Sequence, residues 1–170
     1  MNNNYVKYGL ISFLLILIQV LILNNVLFLG YLNPIIYIYI IFIYPIKENK
    51  ISLLLFSFFI GLFVDFFSNS GGSNTAALLF VAYFRLPFLR LIQNNVEFDY
   101  LLFNIKKLNF IQIIIYVFTL TFFHHLILFY LEYYKLNDII DIIIKSLNTS
   151  LFSSVLVYLS ISLFVKNNNS

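Results

Sequence analysis

Residues 8–46 read YGLISFLLILIQVLILNNVLFLGYLNPIIYIYIIFIYPI and contain no charged side chain. A helix crossing the hydrocarbon layer of a bilayer needs about 20 apolar residues, so this run is too long for one span and suits two. The break falls near Asn24, Asn25, Gly30 and the Asn33-Pro34 pair, residues that favour turns and disfavour helix continuation. Span 1 is expected over about residues 8–28 and span 2, which is rather short, over about 31–45. The first run is longer than the roughly 7–15 apolar residues of a signal peptide and lacks a small-residue cleavage pattern, so it reads as a retained signal-anchor helix.

The same logic extends outward. Lys47-Glu48-Asn49-Lys50 makes a tight polar loop, and span 3 follows over 51–67 with Asp65 near its far end. Residues 68–74, Ser-Asn-Ser-Gly-Gly-Ser-Asn, form a small-residue turn in which Gly71 and Gly72 supply positive φ. Span 4 covers about 75–92 and is interrupted by Arg85, Pro87 and Arg90; spans 5 and 6 cover about 110–131 and 146–165. Across all 170 residues, 62% are hydrophobic and 10% charged, against about 25% charged in a soluble domain. That balance excludes a soluble globule and a disordered chain. The expected fold class is an all-α integral membrane protein, a compact bundle of six transmembrane helices forming one domain. Cysteine is absent, which removes disulfides, thiolate metal sites and cysteine nucleophiles.

Loop charges set the expected orientation. Lys7, Lys47, Lys50, Arg85, Arg90, Lys106, Lys107 and Lys166 fall on one side, and only Lys135 and Lys145 on the other. The side rich in Lys and Arg faces the cytoplasm, so both termini are expected there and the number of spans is even. Two linkers look amphipathic and interfacial. One is Gln93 to Asn109; the other carries Asp138, Asp141 and Lys145 on one helical face.

Ionisable groups inside a membrane cost about 2.5–3.5 kcal/mol each, so they are informative. Here they are Asp65, Arg85, His124 and His125, with Gln19, Asn148 and Thr149 as neutral companions. Asp65 and His124 each lie 14 residues into spans crossing in the same direction, hence at a similar depth of about 21 Å. A direct aspartate–imidazole hydrogen bond is one reading; a carboxylate at the interface capping the turn is the other. His125 points about 100° away from His124 and reads as a passive interfacial residue. Arg85 reads either as a cytoplasmic-side contact or as a topology signal whose long side chain snorkels to the headgroups. Pro87 is expected to kink span 4. Gly61 and Asp65 share a helix face, and the missing side chain permits close approach of a neighbouring helix.

Catalytic patterns are missing. His124 and His125 are adjacent rather than one helical turn apart with a glutamate between, there is no nucleotide-binding glycine pattern, and paired carboxylates are not found inside the spans. A non-enzymatic protein without cofactor, metal or nucleic-acid partner is expected.

The run Gly61-Leu62-Phe63-Val64-Asp65-Phe66-Phe67-Ser68-Asn69-Ser70, followed by Gly72 and Asn74, resembles the rod shape-determining protein MreD family. Ala82-Tyr83 leading to Arg85, and Asn148-Thr149 early in the last span, are similar to it as well. One departure is Gly71, where that pattern has proline. The resemblance implies a scaffold subunit of the bacterial elongation machinery, multi-pass in the cytoplasmic membrane. It implies lateral binding to MreC and, through it, a link from MreB filaments to RodA and a class B penicillin-binding protein. It makes Gly61, Asp65, Gly72, Asn74, Arg85 and Asn148 the candidate interaction residues, beside His124 from the depth argument. The alternative is the substrate-capturing subunit of a vitamin importer, although span 1 lacks a sustained small-residue stripe for docking a coupling subunit.

Overall fold

The structure is a computed structural model and describes residues 3–26, 32–45, 50–93, 108–133 and 139–164. Among them lie α1 (Asn3–Leu21), a short 3-10 turn (Leu23–Asn25), α2 (Tyr39–Ile43), α3 (Lys50–Ser68), α4 (Ser73–Gln93), α5 (Phe110–Tyr133) and α6 (Ile139–Phe164). No strand is present among the described residues. Five helices, all but α2, are long and apolar enough to cross a membrane.

Helix order follows from which ends touch. Tyr8 near the start of α1 packs on Tyr44, which packs on Phe56 and hydrogen-bonds Ser52 early in α3. Past the other end of α1, Asn24 donates to Ser68 at the finish of α3, 2.8 Å away. The two helices are therefore parallel. Helix α4 returns antiparallel to α3, α5 antiparallel to α4 through Gln112 to Ile92 and Phe123 against Phe80, and α6 antiparallel to α5 through Phe110 against Tyr158. The start of α1 and the finish of α6 thus share one end of the bundle, here the tail end. The α3–α4 turn marks the opposite, turn end.

Two parallel neighbours need a connection that runs back through the thickness of the bundle. Residues 32–44 make it, and here the structure corrects the helix expected over 31–45. The only α-helix in that segment is the five-residue α2, preceded by irregular backbone from Asn33 to Ile38. Pro34 and Pro45 punctuate the run, and a helix of that length would not reach across a bilayer. The segment survives because it is enclosed. Tyr37, Ile38, Ile40 and Ile41 are almost wholly buried, which matches the rule that non-helical backbone at membrane depth must be wrapped in protein.

The described part of the loop after span 2 and the first linker is limited to its edges; residues 46–49 and 94–107 lie outside the described residues, as do 134–138 with Asp138. Asp141 and Lys145 belong to α6, which begins seven residues before the expected start at 146. No separate interfacial helix precedes it among the described residues. Helix α4 runs on through Pro87 without interruption.

Candidate functional site

The α3–α4 turn is built around Asp65. Helix α3 closes with Asn69 at φ 53°, and the Ser70 amide donates back to the Asp65 carbonyl at 3.2 Å, which satisfies a terminal carbonyl in the Schellman manner. Gly71 and Gly72 follow at φ 63° and 96°. Proline, fixed near −65°, does not fit the Gly71 conformation.

The Asp65 side chain then caps the next helix. Its Oδ1 accepts from the Asn74 amide at 2.9 Å, from Asn74 Nδ2 at 3.0 Å and from the Ser70 hydroxyl. Its Oδ2 accepts from the Thr75 amide at 2.8 Å and from the Thr75 hydroxyl. A carboxylate on the first amides of α4 also complements the helix dipole. Of the two readings of Asp65, the capping one holds in its hydrogen bonds, but the carboxylate is buried rather than solvated. One turn earlier, a Cβ on Gly61 would lie 2.5 Å from the Thr75 Cα, so glycine is what lets α3 and α4 approach at this level.

Asp65 and His124 do not touch; Asn74 and Tyr37 stand between them. The Tyr37 hydroxyl donates to Asn74 Oδ1 at 2.6 Å and lies 3.1 Å from His124 Nε2. With its only proton committed to Asn74, the tyrosine oxygen accepts from an Nε2–H. That assignment leaves His124 Nδ1 buried and without a partner. His125 is fully buried, contrary to its expected interfacial position. Its Nδ1 donates to the Thr121 carbonyl at 2.7 Å, its Nε2 accepts from Ser153 at 3.3 Å, and Ser153 in turn accepts the Ile35 amide at 2.9 Å.

That last bond shows what much of the interior polarity is for. The irregular segment frees backbone groups, and side chains from three helices take them up. Gln19 of α1 donates to the Pro34 carbonyl at 3.2 Å and accepts the Ile36 amide at 2.8 Å. Ser153 of α6 takes Ile35. Arg85 of α4, only 3% exposed, donates from Nη2 to the Tyr44 carbonyl at 2.6 Å. The snorkelling expected of Arg85 is therefore corrected: its guanidinium turns inward, because the end of the crossing segment presents an acceptor there. Its Nε and the Tyr116 hydroxyl are buried without hydrogen bonds.

Asn148 is on the outer face of α6, whereas Ser146, Thr149, Ser150 and Ser153 face inward. Asn148 was a candidate through the resemblance of the Asn148-Thr149 pair; at 100° per residue its neighbour Thr149 takes the buried position. Sequence reasoning passed over Tyr37 and Ser153. The signal for them was an apolar run too short for a span, flanked by prolines, in a chain rich in buried-type hydroxyls.

At the turn end a half-open recess of about 360 Å³ lies between α1, the crossing segment, α3 and α5, with Gln19, Asn24, Asn33, Tyr37, Asn74 and Glu132 among its lining residues. Tyr37 and Asn74, both in its lining, hydrogen-bond to each other. No grouping of three or more His, Asp or Glu able to hold a metal occurs among the described residues. Fold and site together define a polytopic helical bundle, apolar enough in five helices to be embedded in a membrane, whose polar groups are spent mainly on holding its own backbone. The chain matches no family model, no curated protein and no solved structure.

Proposed function

We propose that this protein is a non-enzymatic scaffold of the bacterial cell-elongation machinery, of the MreD kind, seated in the cytoplasmic membrane. It binds MreC sideways and thereby links MreB filaments to peptidoglycan synthesis by RodA and a class B penicillin-binding protein. The observation that carries this reading is the closure of the Gly61–Asn74 motif on itself: every oxygen of the Asp65 carboxylate is engaged by Ser70, Asn74 and Thr75. Those residues shape a rigid α3–α4 corner and leave no free nucleophile or acid there.

Outside the core, α3 offers Leu55, Phe59, Leu62, Phe63, Phe66 and Phe67 to its surroundings, and α1 offers Leu10, Phe13 and Leu14. Such faces suit packing against partner spans. Lys50, Arg85 and Arg90 sit towards the tail end, so the positive-inside rule puts that end, with both termini, in the cytoplasm. The crossing segment then counts as the sixth pass. A carrier would need an enclosed polar chamber, whereas the recess at the turn end is half-open.

The test is co-purification in mild detergent together with depletion. MreC is expected to remain bound, and depleted cells are expected to round up. Stable rods in a clean deletion strain overturn the proposal.

A further inference from the structure

The recess at the turn end carries free chemistry that the scaffold reading does not use. Its hydrogen-bonding groups divide sharply. Gln19, Asn24, Tyr37 and Asn74 are committed to neighbours within the protein. What remains uncommitted is acceptor: Asn33 Oδ1 is buried in the wall with no partner, and Glu132 lines the same space. No ion pair to Glu132 exists among the described residues. Asp65 lies just behind the wall formed by Ser70 and Asn74, and it is held only by neutral donors, so its charge is not cancelled. Glu132 senses both that carboxylate and the Lys145 ammonium, and Lys145 itself is occupied by the Tyr133 hydroxyl and the Phe129 ring. Among the described residues, two carboxylates stand against one ammonium around the recess. Phe67 and Phe129 add aromatic wall, and ring faces attract cations.

A volume of about 360 Å³ holds roughly a dozen water-sized groups at about 30 Å³ each. That is the scale of a small polar molecule rather than a bare ion. The geometry points to a binding site for a primary ammonium group carried on a small polar body, its N–H donors taken by Glu132 against the Phe67 and Phe129 walls. Two sources present that chemistry: the headgroup of an aminophospholipid, and a free water-soluble amine. The inference requires a folded bundle and does not depend on the elongation role.

Melting of the purified full chain in a nonionic detergent tests it, with phosphatidylethanolamine, phosphatidylcholine or free ethanolamine added, for wild type and Glu132→Gln. Glu132 is exposed, so the variant is expected to fold and to melt like wild type without additive. Phosphatidylethanolamine should raise the wild-type midpoint by several degrees, while phosphatidylcholine, which lacks N–H donors, should not. Most of that shift should vanish in Glu132→Gln. An equal response to ethanolamine assigns a soluble amine; a response to the lipid alone assigns the headgroup. Equal shifts with both lipids, a full shift retained in Glu132→Gln, or no shift with any additive overturns the site. Loss of MreC binding with the ammonium response intact would count against the scaffold proposal alone.

Discussion

Asp65 shows how one buried group can be worth more as an acceptor than as a charge. Replacing it by alanine orphans the first amides of α4 and the hydroxyls of Ser70 and Thr75. A buried donor left unpaired costs about 1–3 kcal/mol, and loss of a helix cap about 1 kcal/mol. Asp65→Ala is expected to lower the melting midpoint clearly in detergent, and Asp65→Asn less, since one oxygen survives. Gly61→Ala should cost about 1–3 kcal/mol by overpacking, because the added methyl meets Thr75 backbone rather than a movable side chain. Asn148→Ala, on the outer face, should stay within about 0.5 kcal/mol of wild type. At this scale the sequence was a fair guide to position and a poor one to partner. The spacing of Gly61 and Asp65 announced a close helix contact, and paired glycines announced the turn. Equal depth of Asp65 and His124 could not reveal that Tyr37 would come between them, since Tyr37 arrives from a segment with no helical register to count along.

The element that decides the architecture is the crossing segment. Its hydrophobicity was plain in the sequence, as were its short length and its prolines; its lack of helix was not. Hydropathy measures whether side chains tolerate lipid, and it says nothing of who satisfies the backbone. That answer lay in Gln19, Arg85 and Ser153, which are distant in sequence; the first two stood out as polar groups in apolar runs, but nothing in the sequence tied them to this segment. Ser153→Ala leaves the Ile35 amide and His125 Nε2 without partners. Interhelical hydrogen bonds in membrane proteins average about 0.6 kcal/mol, up to about 1.7. A loss near the upper value is expected, because two groups are orphaned together. Thermal unfolding of the variant checks it, and Ser154→Ala, at a hydroxyl bonded only within its own helix, serves as the matched control with little change.

At the scale of the molecule, five long helices were legible from composition and charge gaps, and their bounds differ from expectation most at α1, which runs Asn3–Leu21 against 8–28, and at α6, which starts seven residues early. The absence of cysteine makes the topology directly measurable. Single cysteines introduced at the start of α1 and the finish of α6 are expected to react with an impermeant reagent only after the cytoplasmic side is exposed, and one in the Gly71–Gly72 turn to react from outside. Labelling of the two ends from opposite sides would break the even count of passes. The enclosure of residues 32–44 has a further consequence, for biogenesis. Ile35 waits for a hydroxyl that is synthesised 118 residues later, so the crossing segment has no stable home while the ribosome is still making α3 to α5. A nascent chain cut before α6 should hold this stretch loosely, open to protease or to the quality-control machinery, and become resistant only when the final helix seals the bundle.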